Sequence, residues 1–176
     1  MVDYKKIRFL FMDVDGTLTD GKIYMSDSGE LFKAFDIKDG CGIKDILPEL
    51  GITPVIITAR QSKILENRCR ELGIEMCFQN TRDKVSKIRE IMEQSGFLPN
   101  DFGVYEEAAY IGDDILDIPP MKICALKACP ADAVQRVKEL CDHITVRNGG
   151  SGAVRELIDF LSDNYERIDI CYYSCL

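Results

Sequence analysis

FLFMDVDGTLTDG, residues 9–21, is an apolar run that ends in two carboxylates and a Gly-Thr turn. Residues 7–12 have the length and unbroken apolar character of a strand buried on both faces. Asp13 and Asp15 stand two residues apart just past its end, where their oxygens can converge on one hard cation such as Mg²⁺. An acidic loop that merely solvates the sheet edge explains Asp13 poorly. A carboxylate closing a buried strand is costly unless something pairs with it.

Outward from this stretch, short apolar runs alternate with helix-length amphipathic segments, the pattern of βαβ units and a mostly parallel sheet. Strands are expected at residues 7–12, 53–58, 75–78, 108–112, 123–126 and 143–146. Helices are expected at 42–50, 62–72 with Ser62 as its cap, 84–94, 115–121 interrupted by Pro119 and Pro120, 131–140, and from the Gly149–Gly152 loop through Leu161. Residues 97–107 read as irregular, and the last dozen residues have no clear pattern. One segment departs from the alternation. Residues 22–36 carry two β-prone arms around a Ser26-Asp27-Ser28-Gly29 turn, a hairpin signal placed where a doubly wound sheet keeps its active-site loops. The expected architecture is a Rossmann-like α/β sheet flanked by helices, with this small β-hairpin in place of a cap domain. Residues 1–165 form a single domain and 166–176 a tail.

Composition narrows the function classes. Thirty acidic against 22 basic residues, a net charge of −8, repel a phosphate backbone and argue against a nucleic-acid module. No apolar run is long enough to span a bilayer, and the N-terminus does not read as a signal peptide, so a cytoplasmic location is expected. The eight cysteines include no Cys-x-x-Cys pair and accompany a single histidine, His143. They read as reduced structural thiols, and a histidine-based triad would depend wholly on His143.

Three further strand ends supply complementary chemistry. Thr58 closes one strand and can offer a hydroxyl to a phosphoryl oxygen, and Lys84 opens a helix after the next and can neutralise charge there. Gly112-Asp113-Asp114 closes a fourth strand with more acidic oxygens. Ligands of open α/β sheets bind outside the carboxyl ends of the strands, so acid, hydroxyl, ammonium and acid make one plausible site.

With DxDGT at 13–17, the strand-end Thr58, Lys84 and GDDxxD at 112–117 in order, the chain resembles the haloacid dehalogenase-like phosphatases. The resemblance implies that Asp13 is the nucleophile that forms an aspartyl-phosphate and Asp15 the general acid and base. It implies that Thr58 and Lys84 hold the phosphoryl oxygens and that Mg²⁺ binds Asp13, the backbone carbonyl of Asp15, and Asp113. Asp114 and Asp117 are expected beside the metal or behind it. The stretches DGKIYMSDSGELFKAFDIKDGCGIK, ITARQSKILENRCRELGI, YIGDDILDIPPM and GGSGAVRELIDFL further resemble the 3-deoxy-D-manno-octulosonate 8-phosphate phosphatases and the sialic-acid-type 9-phosphate phosphatases. That group implies lipopolysaccharide biosynthesis and a homotetramer in which a neighbouring subunit completes each site.

By the same resemblance, Arg60 stands where the octulosonate enzymes have arginine and the nononate enzyme has glutamate. A guanidinium can grip a sugar carboxylate bidentately and a glutamate cannot, so the resemblance favours the eight-carbon sugar acid over the nine-carbon alternatives, 2-keto-3-deoxynononate or N-acetylneuraminate. Lys33, Arg68, Gly150 and Arg155 are further candidates for substrate contact. The Gly149–Gly152 loop is expected to present free amides to an anion. Ala59, Asn80, Ser151 and a longer 98–107 segment depart from the family pattern. Two other classes compete. A receiver-type switch would need an Asp after the third strand, where Phe78-Gln79-Asn80 stands. A non-catalytic regulatory module linked to sugar-nucleotide synthesis would be expected to lose Asp13, Asp15 or Lys84, and all three are kept.

Overall fold

The protein is described here by a computed structural model covering residues 2–165; the expected tail, Cys171 and Cys175 lie outside the described residues. Strands β1 (Phe9–Met12), β2 (Tyr24–Ser26), β3 (Gly29–Phe32), β4 (Thr53–Ile57), β5 (Met76–Phe78), β6 (Tyr105–Ile111), β7 (Cys124–Cys129) and β8 (His143–Ile144) are joined by helices. The helices are α1 (Ile37–Cys41), α2 (Lys63–Leu72), α3 (Lys84–Gln94), α4 (Ile118–Met121), α5 (Gln135–Lys138) and α6 (Ala153–Asn164). Six strands form a parallel sheet in the order β5-β4-β1-β6-β7-β8, and β2 and β3 pair antiparallel as a separate hairpin.

The sheet is parallel and covered on both faces, so its strands must be apolar on both sides. Along β1, Leu10 and Met12 join a core with Ile43, Leu65, Leu157 and Leu161, while Phe9 and Phe11 join Ile88, Met92, Met121 and Val137. Helices α1, α2 and α6 therefore cover one face and α3, α4 and α5 the other. From β1 the chain steps outward to β4 and β5, then returns to the far side of β1 as β6. The connections thus reverse direction at β1, which opens the crevice at its carboxyl end.

Several boundaries differ from those the sequence suggests. The helix expected from residue 42 begins at Ile37, where the Asp36 carboxylate accepts the Lys38 amide at 2.6 Å, and continues as a π-helical turn over Gly42–Ile46. Gly40 and Gly42 hide this start, because it rests on packing rather than on propensity. A Cβ on Gly42 would lie 3.0 Å from both Arg155 Cδ and Ile158 Cδ1 of α6. Strand β6 starts at Tyr105, three residues before the expected start, and β7 runs on to Cys129. Of the expected helix 131–140 only Gln135–Lys138 is helical. By contrast α2, with Ser62 accepting the Leu65 amide at 3.3 Å and Gly73 left-handed at φ 70°, and α3 have the expected extents.

Candidate active site

Asp13 follows β1 directly, its amide donating to Ile111 O at 3.0 Å as if the ladder with β6 ran one residue further. The chain then turns through Gly16, at φ +95°, where a Cβ would fall 2.1 Å from Asp113 Oδ2. Only glycine lets this turn pass so close to the carboxylate at the end of β6. Thr17, wholly buried, donates its hydroxyl to Asp113 Oδ1 at 3.1 Å and fixes that side chain.

Lys84 reaches in from the first turn of α3. Its Nζ lies 3.0 Å from Asp13 Oδ1, 2.7 Å from Asp117 Oδ1 and 3.2 Å from the Tyr110 hydroxyl, and the residue is only 4% exposed. Burial alone would lower its pKa, but the charges of Asp13 and Asp117 outweigh that and hold it above the ordinary lysine value. Asp117 is completely buried and saturated: Oδ1 takes Lys84 and Tyr110, and Oδ2 accepts the amides of Asp113 and Asp114 at 3.0 and 3.2 Å. It therefore stands behind the site and holds its parts. Asp114 is exposed and caps the following turn by accepting the Ile115 amide at 2.7 Å.

Oxygens of Asp13, Asp113 and Asp117 lie within 4.8 Å of one another. Burial, followed by repulsion from Asp117, raises the Asp13 carboxyl to about 6, and burial with the Asp13 charge raises Asp113 to about 7. Among the described residues, these three carboxylates face one ammonium, an excess of two negative charges once all are ionised. A divalent oxygen-seeking ion such as Mg²⁺ fits that donor set in charge and chemistry, with Asp13 and Asp113 as the carboxylates that still have oxygens to give.

Asp15 faces the other way, toward the hairpin. Lys33, 6% exposed in its side chain and directly following β3, forms an ion pair with Asp15 Oδ1, and Arg60 Nε lies 3.5 Å from Oδ2. Glu30 on β3 joins Lys33 (3.3 Å) and also accepts the hydroxyl of Ser62, the cap of α2. Tyr24 on β2 donates to Asp20 at 2.7 Å. The hairpin is thus tied to the core by polar contacts, with Ile23, Met25, Leu31 and Phe32 left exposed. Thr58 is buried at the end of β4, its hydroxyl accepting the Arg60 amide at 3.3 Å.

Three predicted substrate residues are engaged elsewhere within the chain. Arg68 pairs with Glu71 at 2.9 Å and lies 5.8 Å from the Phe35 ring, pressed so close to α1 that a Cβ on Gly40 would meet its Nη2 at 2.3 Å. Arg155 pairs with Asp159 at 2.8 Å, and its amide donates to Asp39 Oδ1 at 2.7 Å. The expectation of free amides in the Gly149–Gly152 loop is not met. Gly149 N donates to Asp132, Gly150 N to Thr17 O at 3.0 Å and Ser151 N to Asn148 O. These glycines are there for close packing instead: a Cβ on Gly149 would fall 1.9 Å from Gly16 O, and one on Gly150 2.5 Å from Thr19 C. Sequence reasoning missed Tyr110, Thr17 and Glu30. For Tyr110 the available signal was a tyrosine inside the apolar run 108–111, whose buried hydroxyl must find a partner. His143 stacks on Phe160 at 4.3 Å between centroids, and all six described cysteines are free thiols.

No family model matches the chain. Among characterised proteins it is 40% identical over 157 residues to the 3-deoxy-D-manno-octulosonate 8-phosphate phosphatase of Escherichia coli K12, covering 89% of this chain and 80% of that one. The enzyme of the same name from Haemophilus influenzae is 37% identical over 157 residues, covering 89% and 83%. Among solved structures, the cobalt-bound Haemophilus influenzae phosphatase aligns with TM-score 0.84 at 36% identity, over 92% of this chain and 91% of that one. The Moraxella catarrhalis 3-deoxy-D-manno-octulosonate 8-phosphate phosphatase, in complex with magnesium, phosphate and the sugar acid, aligns with TM-score 0.84 at 32% identity, over 92% and 89%. With the sheet, the hairpin and the carboxylate cluster in place, these likenesses put the chain in the family of 3-deoxy-D-manno-octulosonate 8-phosphate phosphatases, hydrolases of phosphate monoesters within the haloacid dehalogenase superfamily.

Proposed function

We propose that this chain hydrolyses 3-deoxy-D-manno-octulosonate 8-phosphate to the free sugar acid and inorganic phosphate, as a step of lipopolysaccharide biosynthesis. The observation that carries the mechanism is the buried Lys84 ammonium 3.0 Å from Asp13 Oδ1, at the crevice where the strand order reverses. Asp13 attacks phosphorus in line, and the P–O bond to the sugar breaks. Asp15 gives its proton to the departing alkoxide, then takes one from the water that attacks the acyl phosphate on Asp13. Phosphate leaves and the Asp13 carboxylate is restored. The Thr58 hydroxyl and Lys84 hold the equatorial oxygens throughout. Asp13, Asp113 and the backbone carbonyl of Asp15 would hold Mg²⁺, which would supply shielding of the negative charge brought together at the phosphoryl group.

The hairpin side supports an acidic substrate. Lys33 and Arg60 both pair with Asp15 in the free protein. A substrate carboxylate that draws these cations to itself releases the Asp15 oxygens for proton transfer. Gly150 and Arg155 belong to the proposal only as residues close to the substrate of an adjoining copy in a homotetramer, and Arg68 only as a residue near the helix face of Arg60. The exposed apolar side chains of the hairpin support such an assembly. A cytoplasmic location completes the reading; it is supported by the family's biosynthetic role.

Phosphate release by the purified chain with Mg²⁺ tests this, comparing the octulosonate 8-phosphate, the nononate and sialate 9-phosphates, and hexose phosphates. We expect the eight-carbon substrate to be preferred and Asp13→Asn to abolish turnover. Preference for a nine-carbon substrate would overturn the substrate assignment, and full activity in Asp13→Asn the mechanism. Light scattering on the same preparation checks the tetramer.

A further inference from the structure

Tyr110 is completely buried in β6 between Ala109 and Ile111, in the cluster covered by α3 and α4. Its ring packs like any core aromatic, but its hydroxyl ends beside the two charged groups at the base of the site. The hydroxyl lies 2.7 Å from Asp117 Oδ1 and 3.2 Å from Lys84 Nζ. The direction of these bonds is forced. A lysine ammonium only donates, and a carboxylate that already faces that ammonium only accepts. The single phenolic proton therefore goes to Asp117, and the phenolic lone pair faces Lys84.

Lys84 has three protons and three acceptors at hydrogen-bonding distance: Asp117 Oδ1, Tyr110 Oη and Asp13 Oδ1. The first two sit in the wholly buried base of the site and do not change during a reaction. They fix the ammonium so that its third proton points at Asp13, the place where a phosphoryl oxygen must arrive. Without the hydroxyl, the buried ammonium has one acceptor fewer and is free to settle toward Asp117.

We propose that Tyr110 is a positioning residue for phosphoryl transfer, acting through Lys84: its hydroxyl sets where the ammonium stands between Asp13 and the incoming phosphoryl group. The proposal rests on the phosphatase reading above and adds a residue to it. Tyr110→Phe keeps the ring and removes only the hydroxyl.

The test is a double-mutant cycle of Tyr110→Phe with Lys84→Gln in the full chain with Mg²⁺, read three ways. Tyr110→Phe alone is expected to lower kcat about 10- to 100-fold, the range for partners that orient a catalytic group, with KM unchanged. In the Lys84→Gln background it is expected to cost less than about two-fold, because groups that act as a unit are not additive. Binding of orthovanadate with Mg²⁺ present, measured by calorimetry, is expected to weaken in the same non-additive way. If Lys84→Gln does not fold, Lys84→Arg takes its place.

A Tyr110→Phe enzyme with wild-type kcat and vanadate affinity overturns the proposal. So does an equal loss in both backgrounds, or a loss explained by a collapse of the thermal midpoint, since each means the hydroxyl acts through the fold and not through Lys84. If the wild-type chain hydrolyses no phosphomonoester but shows the non-additive vanadate cycle, the proposed function fails and the positioning role stands.

Discussion

At the scale of single residues, the division of labour proposed for Asp13 and Asp15 matches a division of surroundings. Asp13 stands among carboxylates and one buried ammonium, whereas Asp15 stands between two cations at the mouth of the site. Arg60 is the member of that pair most open to solvent, with 43% of its side chain exposed, and so the one best placed to turn from Asp15 to a substrate carboxylate. A charge-assisted hydrogen bond is worth about 1.5–3 kcal/mol. Arg60→Met is therefore expected to raise KM for the octulosonate 8-phosphate about ten-fold or more, while hydrolysis of p-nitrophenyl phosphate, which has no carboxylate, stays within about two-fold. Equal effects on both substrates would remove Arg60 from carboxylate recognition. Asp13, Asp15, Thr58, Lys84 and Asp113 could be picked out as candidates because each stands at a strand end or helix start, where a charged or hydroxyl group has no other obvious duty. Tyr110 and Glu30 were not, because a strand tyrosine reads as core and a hairpin glutamate as solvated surface.

At the scale of elements, the site depends on backbone touching backbone. The turn after β1 is pressed by Gly149 and Gly150, the loop that leads into α6. Gly149→Ala places a Cβ 1.9 Å from Gly16 O, which requires the Gly16 turn to move, and with it Asp15 and the contact to Asp113. We expect a loss of about 1–3 kcal/mol of stability in chemical denaturation, in keeping with overpacking, together with loss of most activity. A stable, fully active Gly149→Ala would show that the loop does not hold the turn. Helix α6 is anchored in its turn by the buried Asp39 of α1, whose carboxylate accepts the Arg155 amide. Boundaries set by caps, such as Ser62 and Gly73, could be read directly. The start of α1 at Ile37 and of β6 at Tyr105 could not, since glycines and acidic residues there act against local propensity and only packing decides.

At the scale of the whole molecule, the cluster of carboxylates links stability to pH and metal. Asp13 and Asp113 keep their protons to about 6 and about 7 in the folded protein, well above the ordinary carboxyl value they have when unfolded. Between those limits the folded state binds more protons than the unfolded one, so stability falls as pH rises. This contribution is whole below the unfolded value and lost by the time pH passes the folded ones. Asp39, raised to about 6 chiefly by burial, adds in the same direction. A divalent ion binds the ionised pair and so opposes the loss. Thermal unfolding with chelator should show the metal-free midpoint dropping between pH 5 and pH 8, with the increment from Mg²⁺ larger at pH 8. An increment of the same size at both values would mean the ion does not bind at Asp13 and Asp113.

The sequence by itself determined the class of fold, the order of the elements that frame the site and the residues to which the proposal gives the chemistry. Those features are written locally, in hydrophobic period, caps and strand-end motifs. Tertiary structure alone decided that Asp117 is a buried organiser, that Asp114 is a cap, that Arg68 pairs within α2 and Arg155 within α6, and that a core tyrosine touches Lys84. Each of those outcomes depends on which distant backbone segments meet, and a buried polar group takes its role from the partner that burial forces upon it.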